Sequence, residues 1–288
     1  MTDEAARKER IKQDFIDARG YWSKGWDPLL DMSPDYFAAY AKLSSVPWTA
    51  GTLDPKIKEF LYIAIDASTT HMFEPGLRIH IRNALRYGAT QDEIMEVLQI
   101  TSSIGVHTVT ESVPLLLDAM KATGHALPSP DLDARRKALK DAFVANRGYW
   151  SPMWDSVLAL DPDYFEAYLD FSSVPWKHGV LEPKVKEMIY IAVSVASQCN
   201  YCIASHTAAA RKGGMSDEMF KELMAVIGMA TETNKLVSGY QVEIDEKFMT
   251  IPPKPYVKRF QDLSGLGASD MRVNSPGVFR GVERLTHG

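Results

Sequence analysis

The sequence predicts an all-α protein made of two tandem helical copies, and three observations lead there. Residues 15–64 align with 143–192 without a gap at a constant offset of 128, and roughly three-fifths of the paired positions are identical. Within each copy the apolar residues recur at helical spacing behind capping signals. Runs of alternating β-branched residues between turn signals are absent, so no sheet is expected.

The repeat carries Arg-Gly-Tyr-Trp-Ser (19–23 and 147–151), Pro-Asp-Tyr-Phe (34–37 and 162–165), Ser-Ser-Val-Pro-Trp (44–48 and 172–176) and Pro-Lys-x-Lys-Glu (55–59 and 183–187). Its period is far longer than that of a solenoid, so each copy is expected to be a domain-sized bundle docked on the other with pseudo-two-fold symmetry. The boundaries fall at 1–125, 126–250 and 251–288. The first two are helical domains, joined through the Gly- and Pro-containing stretch 123–131; the third, without a sustained period, is an extended C-terminal arm. Pro55 and Pro183 suit a first helical turn, followed in the first copy by Ile57, Phe60, Leu61 and Ala64 on one face. Thr90-Gln-Asp-Glu93 reads as a capping box, and Gly88 and Gly214 fall where a helix must stop.

The chain has 288 residues, is 45% hydrophobic and carries a formal net charge of −5. No basic run marks a nucleic-acid or anionic-membrane surface, so a small-molecule substrate is expected. A charged N-terminus and the lack of a long apolar stretch predict a cytoplasmic protein without a signal peptide or membrane span. Only two cysteines occur, three residues apart, which is a redox or metal spacing and not a disulfide framework.

The copies part company around this motif. Copy two reads Cys199-Asn200-Tyr201-Cys202 with His206 beyond; a helix starting near Gln198 puts Cys199, Cys202 and His206 on one face. A helix N-terminus favours a thiolate, His206 can exchange its proton, and Glu187, on the preceding helix, can orient that histidine. Against this stand a pair of inert buried thiols, a surface salt bridge for Glu187, and structural zinc. Zinc needs two more ligands, of which His206 supplies one, so neither metal nor cofactor is expected.

Glu187, twelve residues, Cys199-x-x-Cys202, three residues and His206, followed by an Ala-rich helix and Gly-Gly-Met-Ser-Asp-Glu, resembles the carboxymuconolactone decarboxylase and alkylhydroperoxidase D-like superfamily. The resemblance covers about residues 15–245. It implies an all-α bundle that assembles into homo-oligomers. In the alkylhydroperoxidase branch it makes Cys202 the peroxidatic thiol, Cys199 the resolving thiol and Glu187–His206 the proton relay, with a lipoyl or thioredoxin-like donor as reductant.

Copy one resembles decarboxylase-type members through Glu-Pro-Gly-x-Arg-x-His-Ile-Arg-x-Ala-Leu, and it has no thiol. Glu59, His71, Glu74 and His80 are the candidates for a cofactor-free acid/base pocket there, with a degenerate structural copy as the rival; their spacing matches no common metal motif. His107, on an apolar helix, reads as a core or pocket-wall residue. The repeated Tyr, Trp and Phe positions read as packing and lobe-docking groups. The leading function is hydroperoxide reduction by the thiol pair. The alternatives are decarboxylation or lactone handling of a small carboxylated compound, and non-enzymatic ligand binding or redox sensing.

Overall fold

The computed structural model describes residues 3–49, 51–129, 133–148 and 150–240; the arm expected over 251–288 lies outside them. Among the described residues there are thirteen α-helices and no strand. Copy one contributes α1 (Asp3–Arg19), α2 (Asp27–Met32), α3 (Pro34–Thr49), α4 (Pro55–Ala67), α5 (Glu74–Arg86), α6 (Gln91–Ser103) and α7 (His107–Ala122). Copy two contributes α8 (Ala134–Arg147), α9 (Met153–Leu160), α10 (Pro162–His178), α11 (Pro183–Ala196), α12 (Asn200–Lys212) and α13 (Asp217–Tyr240). The position of α6 and α7 in copy one is taken in copy two by the single helix α13.

The local signals explain these boundaries. Asp54 caps α4 by accepting the Lys56 N–H at 2.7 Å ahead of Pro55. Thr90 and Glu93 form both bonds of the capping box that opens α6. Gly88 and Gly214 have φ of 84° and 87°, the left-handed geometry that ends α5 and α12 without a Cβ clash.

Residues 1–240 cluster as one unit because the copies interlock. The central helices α4 and α11 pack on each other, and Phe60, Leu61, Ile63 and Ile65 share a core with Met188, Ile189 and Ile191. Beyond this core each copy lends its last helices to the other: α13 packs on α3 and α4, while α6 lies on α10 and α11 and α7 on α9. Met229 and Val237 thereby close the aromatic cluster of Phe15, Trp26, Phe37 and Tyr40. Val106 and Val113 close its counterpart around Phe143, Trp154 and Phe165. The repeated aromatics do pack, as expected, but the two lobes exchange helices where the sequence suggested simple docking.

Two buried carboxylates lock the exchange. Glu222 on α13 accepts the Thr52 and Leu53 N–H groups at 2.6 and 2.9 Å and pairs with Lys58 at 2.7 Å. Glu96 on α6 accepts the Val180 and Leu181 N–H groups at 2.6 and 2.8 Å and pairs with Lys186 at 2.7 Å. The second lysine of each Pro-Lys-x-Lys-Glu repeat, Lys58 or Lys186, is thus a buried partner of the other copy. A Cβ at Gly51 or Gly179 would overlap these carboxylates, which accounts for glycine at both positions.

Candidate functional site

The segment entering α12 turns sharply at Gln198, whose φ of 58° lies in the left-handed region that costs a residue with a Cβ about 1–2 kcal/mol. Met72 does the same before α5, with φ of 44°. Helix α12 therefore starts later than the sequence suggested, and Cys199 is its N-cap: its Sγ accepts the Cys202 N–H at 3.3 Å. Cys199 and Cys202 are joined as a disulfide, both buried at the head of the helix.

Helix α11 presents Glu187 to this segment, and Glu187 Oε2 accepts the His206 Nδ1 proton at 2.7 Å. That bond leaves Nε2 as the basic nitrogen of the ring. Tyr190, one turn along α11, stacks on His206 with centroids 4.3 Å apart and an interplanar angle of 3°. Tyr190 is itself held by Ser103 of copy one at 3.2 Å. The expected set Glu187, Cys199, Cys202 and His206 is brought together in one place. His206 and Ser205 line two neighbouring cavities, one of about 60 Å³ that includes Cys202 and Tyr201, and one of about 340 Å³ that includes Glu187, Trp176 and Lys177.

A further member of this site reads in the sequence as a core or pocket-wall residue, and it does line the small cavity. His107, at the first residue of α7 and so from copy one, places a ring nitrogen within 4.8 Å of both sulfurs. Its Nδ1 is buried without a hydrogen-bond partner. Burial, helped by His206, pushes its pKa down to about 4, so the ring is neutral at physiological pH. The apolar neighbours Ile104 and Val106 gave no sequence signal that this histidine faces the thiols.

Copy one repeats the frame with other chemistry. Glu59 Oε2 accepts the His80 Nδ1 proton at 2.6 Å, Asn83 supports Glu59 at 3.4 Å, and Tyr62 stacks on His80 at 4.4 Å. Gly76 holds the helical position of Cys202, and Phe73, the N-cap of α5, that of Cys199. A Cβ on Gly76 would overlap the Asp66 carboxylate and the Phe73 ring, so these two groups fill the space of the missing thiols. Asp66 Oδ2 lies 4.0 Å from His80 Nε2, and Asn234 of copy two donates to Asp66 Oδ1 at 2.7 Å.

Two expected members of this pocket are elsewhere. Glu74 is exposed and bonded to Arg78 at 2.5 and 2.8 Å, an i,i+4 pair on the surface of α5. His71 sits in the turn before α5 and bonds Thr70 at 2.9 Å and Thr231 at 3.2 Å. The true companions of Glu59 and His80 are Asp66, Asn83 and Asn234. Asp66 sits seven residues after Glu59, two helical turns along α4, a spacing that could have marked it.

Burial pushes the Asp66 carboxyl from 3.8 up to about 6, against the opposing pull of His80 and the Asn234 bond. Because the folded value exceeds the unfolded one, the stability tied to this proton is fully present below pH 3.8 and is lost as pH rises through about 6. The displacement is worth roughly 3 kcal/mol. Asp66→Asn should therefore flatten the fall in unfolding free energy between pH 4 and 7, followed by urea denaturation. Parallel wild-type and variant profiles would sink this account.

The carboxymuconolactone decarboxylase family model matches residues 34–123 and 162–242, one stretch in each copy. The chain belongs to the carboxymuconolactone decarboxylase family. A crystal structure from Burkholderia xenovorans LB400, provisionally named as a gamma-carboxymuconolactone decarboxylase subunit, is 38% identical, covers 81% of this chain and 96% of its own, and has a TM-score of 0.72. An alkylhydroperoxidase AhpD core from Rhodospirillum rubrum is 39% identical over 41% of this chain and 88% of its own, with a TM-score of 0.33. "Uncharacterized protein 4 in cox locus" of Paracoccus denitrificans is 34% identical over 67 residues, 23% of this chain, and the match spans 58% of that protein's length. Membership agrees with the all-α tandem organisation. Among the described residues, no helix is long and apolar enough to cross a membrane.

Proposed function

We propose that the protein is a thiol-dependent hydroperoxide reductase working through Cys199, Cys202, His206 and Glu187. The observation that carries this reading is the Cys199–Cys202 disulfide at the head of α12, beside a histidine whose Nδ1 is committed to Glu187. With the pair reduced, His206 Nε2 takes the Cys202 proton and the thiolate attacks the distal oxygen of the hydroperoxide. The O–O bond breaks, Cys202 becomes a sulfenic acid, and the alkoxide leaves with the proton returned by His206. The Cys199 thiol then displaces water from that sulfur and closes the disulfide. Two electrons from an external dithiol of lipoyl or thioredoxin type reopen it.

Cys202 lines the cavity next to His206, which suits it to the attacking role. The adjoining space of about 340 Å³ is large enough for a small organic hydroperoxide. Exposed Leu43 and Val46 on α3, matched by Phe171 and Val174 on α10, favour the homo-oligomer expected from the resemblance. Adding one equivalent of an organic hydroperoxide to the reduced protein should consume two thiols and yield one alcohol. Thiols that persist after the addition would count against the reading.

The decarboxylase-type alternative rests on one observation of its own: His80 lies between the Glu59 and Asp66 carboxyls, and Asp66 keeps its proton to about pH 6. Such a trio can lend and recover a proton without a thiol.

A further inference from the structure

The histidine that copy one sends into the thiol site changes which ligands that site can hold. Zinc looked unsupported because the motif supplied too few donors. His107 adds one from a different element: its ring nitrogen and the sulfurs of Cys199 and Cys202 all lie within 4.8 Å of one another, and all three residues are buried. Its Nδ1 is buried with no hydrogen-bond partner, an arrangement that costs free energy unless another group takes that nitrogen. His206, across the small cavity, has Nδ1 fixed by Glu187, the orientation that a carboxylate gives a metal-binding histidine.

We propose that the reduced form of this site binds a thiophilic divalent cation, zinc in the first instance, through Cys199, Cys202 and His107, with the fourth position facing the cavity beside His206. Two thiolates and an imidazole are a donor set that zinc accepts in a tetrahedral arrangement. The cysteines hold the spacing through the head of α12, while His107 reaches them from α7, so the site exists only where the copies interlock. Binding displaces the two thiol protons to solvent and involves no electron transfer. The disulfide offers no thiolate, so oxidation releases the ion and reduction readmits it. The site would thus be gated by the same pair that reacts with peroxide, and metal binding is measured without any peroxide present, so the two readings fail separately.

The full-length chain is reduced with a phosphine, which itself does not chelate strongly, and titrated with cobalt(II) as a spectroscopic probe and then with zinc. The expected result is one cobalt per chain with tetrahedral ligand-field bands and thiolate charge transfer, bleached by one equivalent of zinc and absent from the disulfide form. His107→Ala should weaken binding by at least about tenfold, since even removing an outer partner of a ligand costs that much. His107→Cys, which replaces one zinc donor with another, should restore it and strengthen the charge-transfer band. In the wild-type protein, the imidazole nitrogen resonances of His107 should shift on zinc addition, a readout that needs no substitution. Failure of the reduced chain to take up stoichiometric tetrahedral cobalt, or zinc binding that leaves the His107 resonances unmoved, would overturn the proposal.

Discussion

Replacing Cys202 by serine is expected to lower hydroperoxide turnover by about three orders of magnitude or more, since a hydroxyl in that place is neither ionised nor a competent nucleophile toward peroxide oxygen. The neighbouring substitution should behave differently. In Cys199→Ser the attacking thiol is intact, so one round of peroxide reduction should proceed and stop at a sulfenic acid on Cys202, which dimedone labelling and mass spectrometry would reveal. Both variants leave the Glu59–His80–Asp66 cluster untouched, so an acid/base activity carried by copy one should survive each of them. Turnover of hydroperoxide by Cys202→Ser at the wild-type rate would refute the assignment of the nucleophile.

The second large effect is on stability. Glu96→Ala should lower the unfolding free energy by about 3–5 kcal/mol, because it strands Lys186 as a buried unpaired charge. It also removes the acceptor for two backbone N–H groups in the loop before α11. Lys186→Met in the Glu96→Ala background should recover part of this loss, as the stranded charge disappears while the two N–H groups remain without Glu96. Urea denaturation midpoints of the single and double variants measure both steps. A midpoint unchanged by Glu96→Ala would show that the carboxylate does not hold the copies together.

The helices, their caps and the Glu–Cys–Cys–His set were legible because each depends on residues close in sequence. Thr90 and Glu93, or Cys199 and Cys202, announce themselves by spacing alone. The exchange of helices was not legible, since nothing local distinguishes an apolar stripe on α6 that packs within its own copy from one that packs on α11. Glu96 and Glu222 are placed equivalently within apolar helical stretches, which hints at a shared role but not at Lys186 and Lys58 as partners. Lys58 and Lys186 carry no local sign of burial, because the carboxylates that neutralise them lie far away in the chain. His71 and Glu74 were drawn in by proximity to the missing thiols. Their side chains point to Thr231 and Arg78, while Asp66, hidden in an apolar helix, occupies the vacated volume.

Because α7 and α13 cross over, each histidine cluster is written partly in the other half of the sequence. His107 belongs by sequence to the thiol-free copy and serves the thiol site; Asn234 belongs to the thiol-bearing copy and bonds Asp66 in the thiol-free one. Two identical chains paired in this way would have every change read twice, once in each cluster. Fusion into a single chain removes that constraint. A histidine can stand beside the sulfurs at 107 while a threonine stands at the matching position 233, bonded to Tyr40. Linked halves can thus specialise in opposite directions without ever separating, each acting as the other's scaffold.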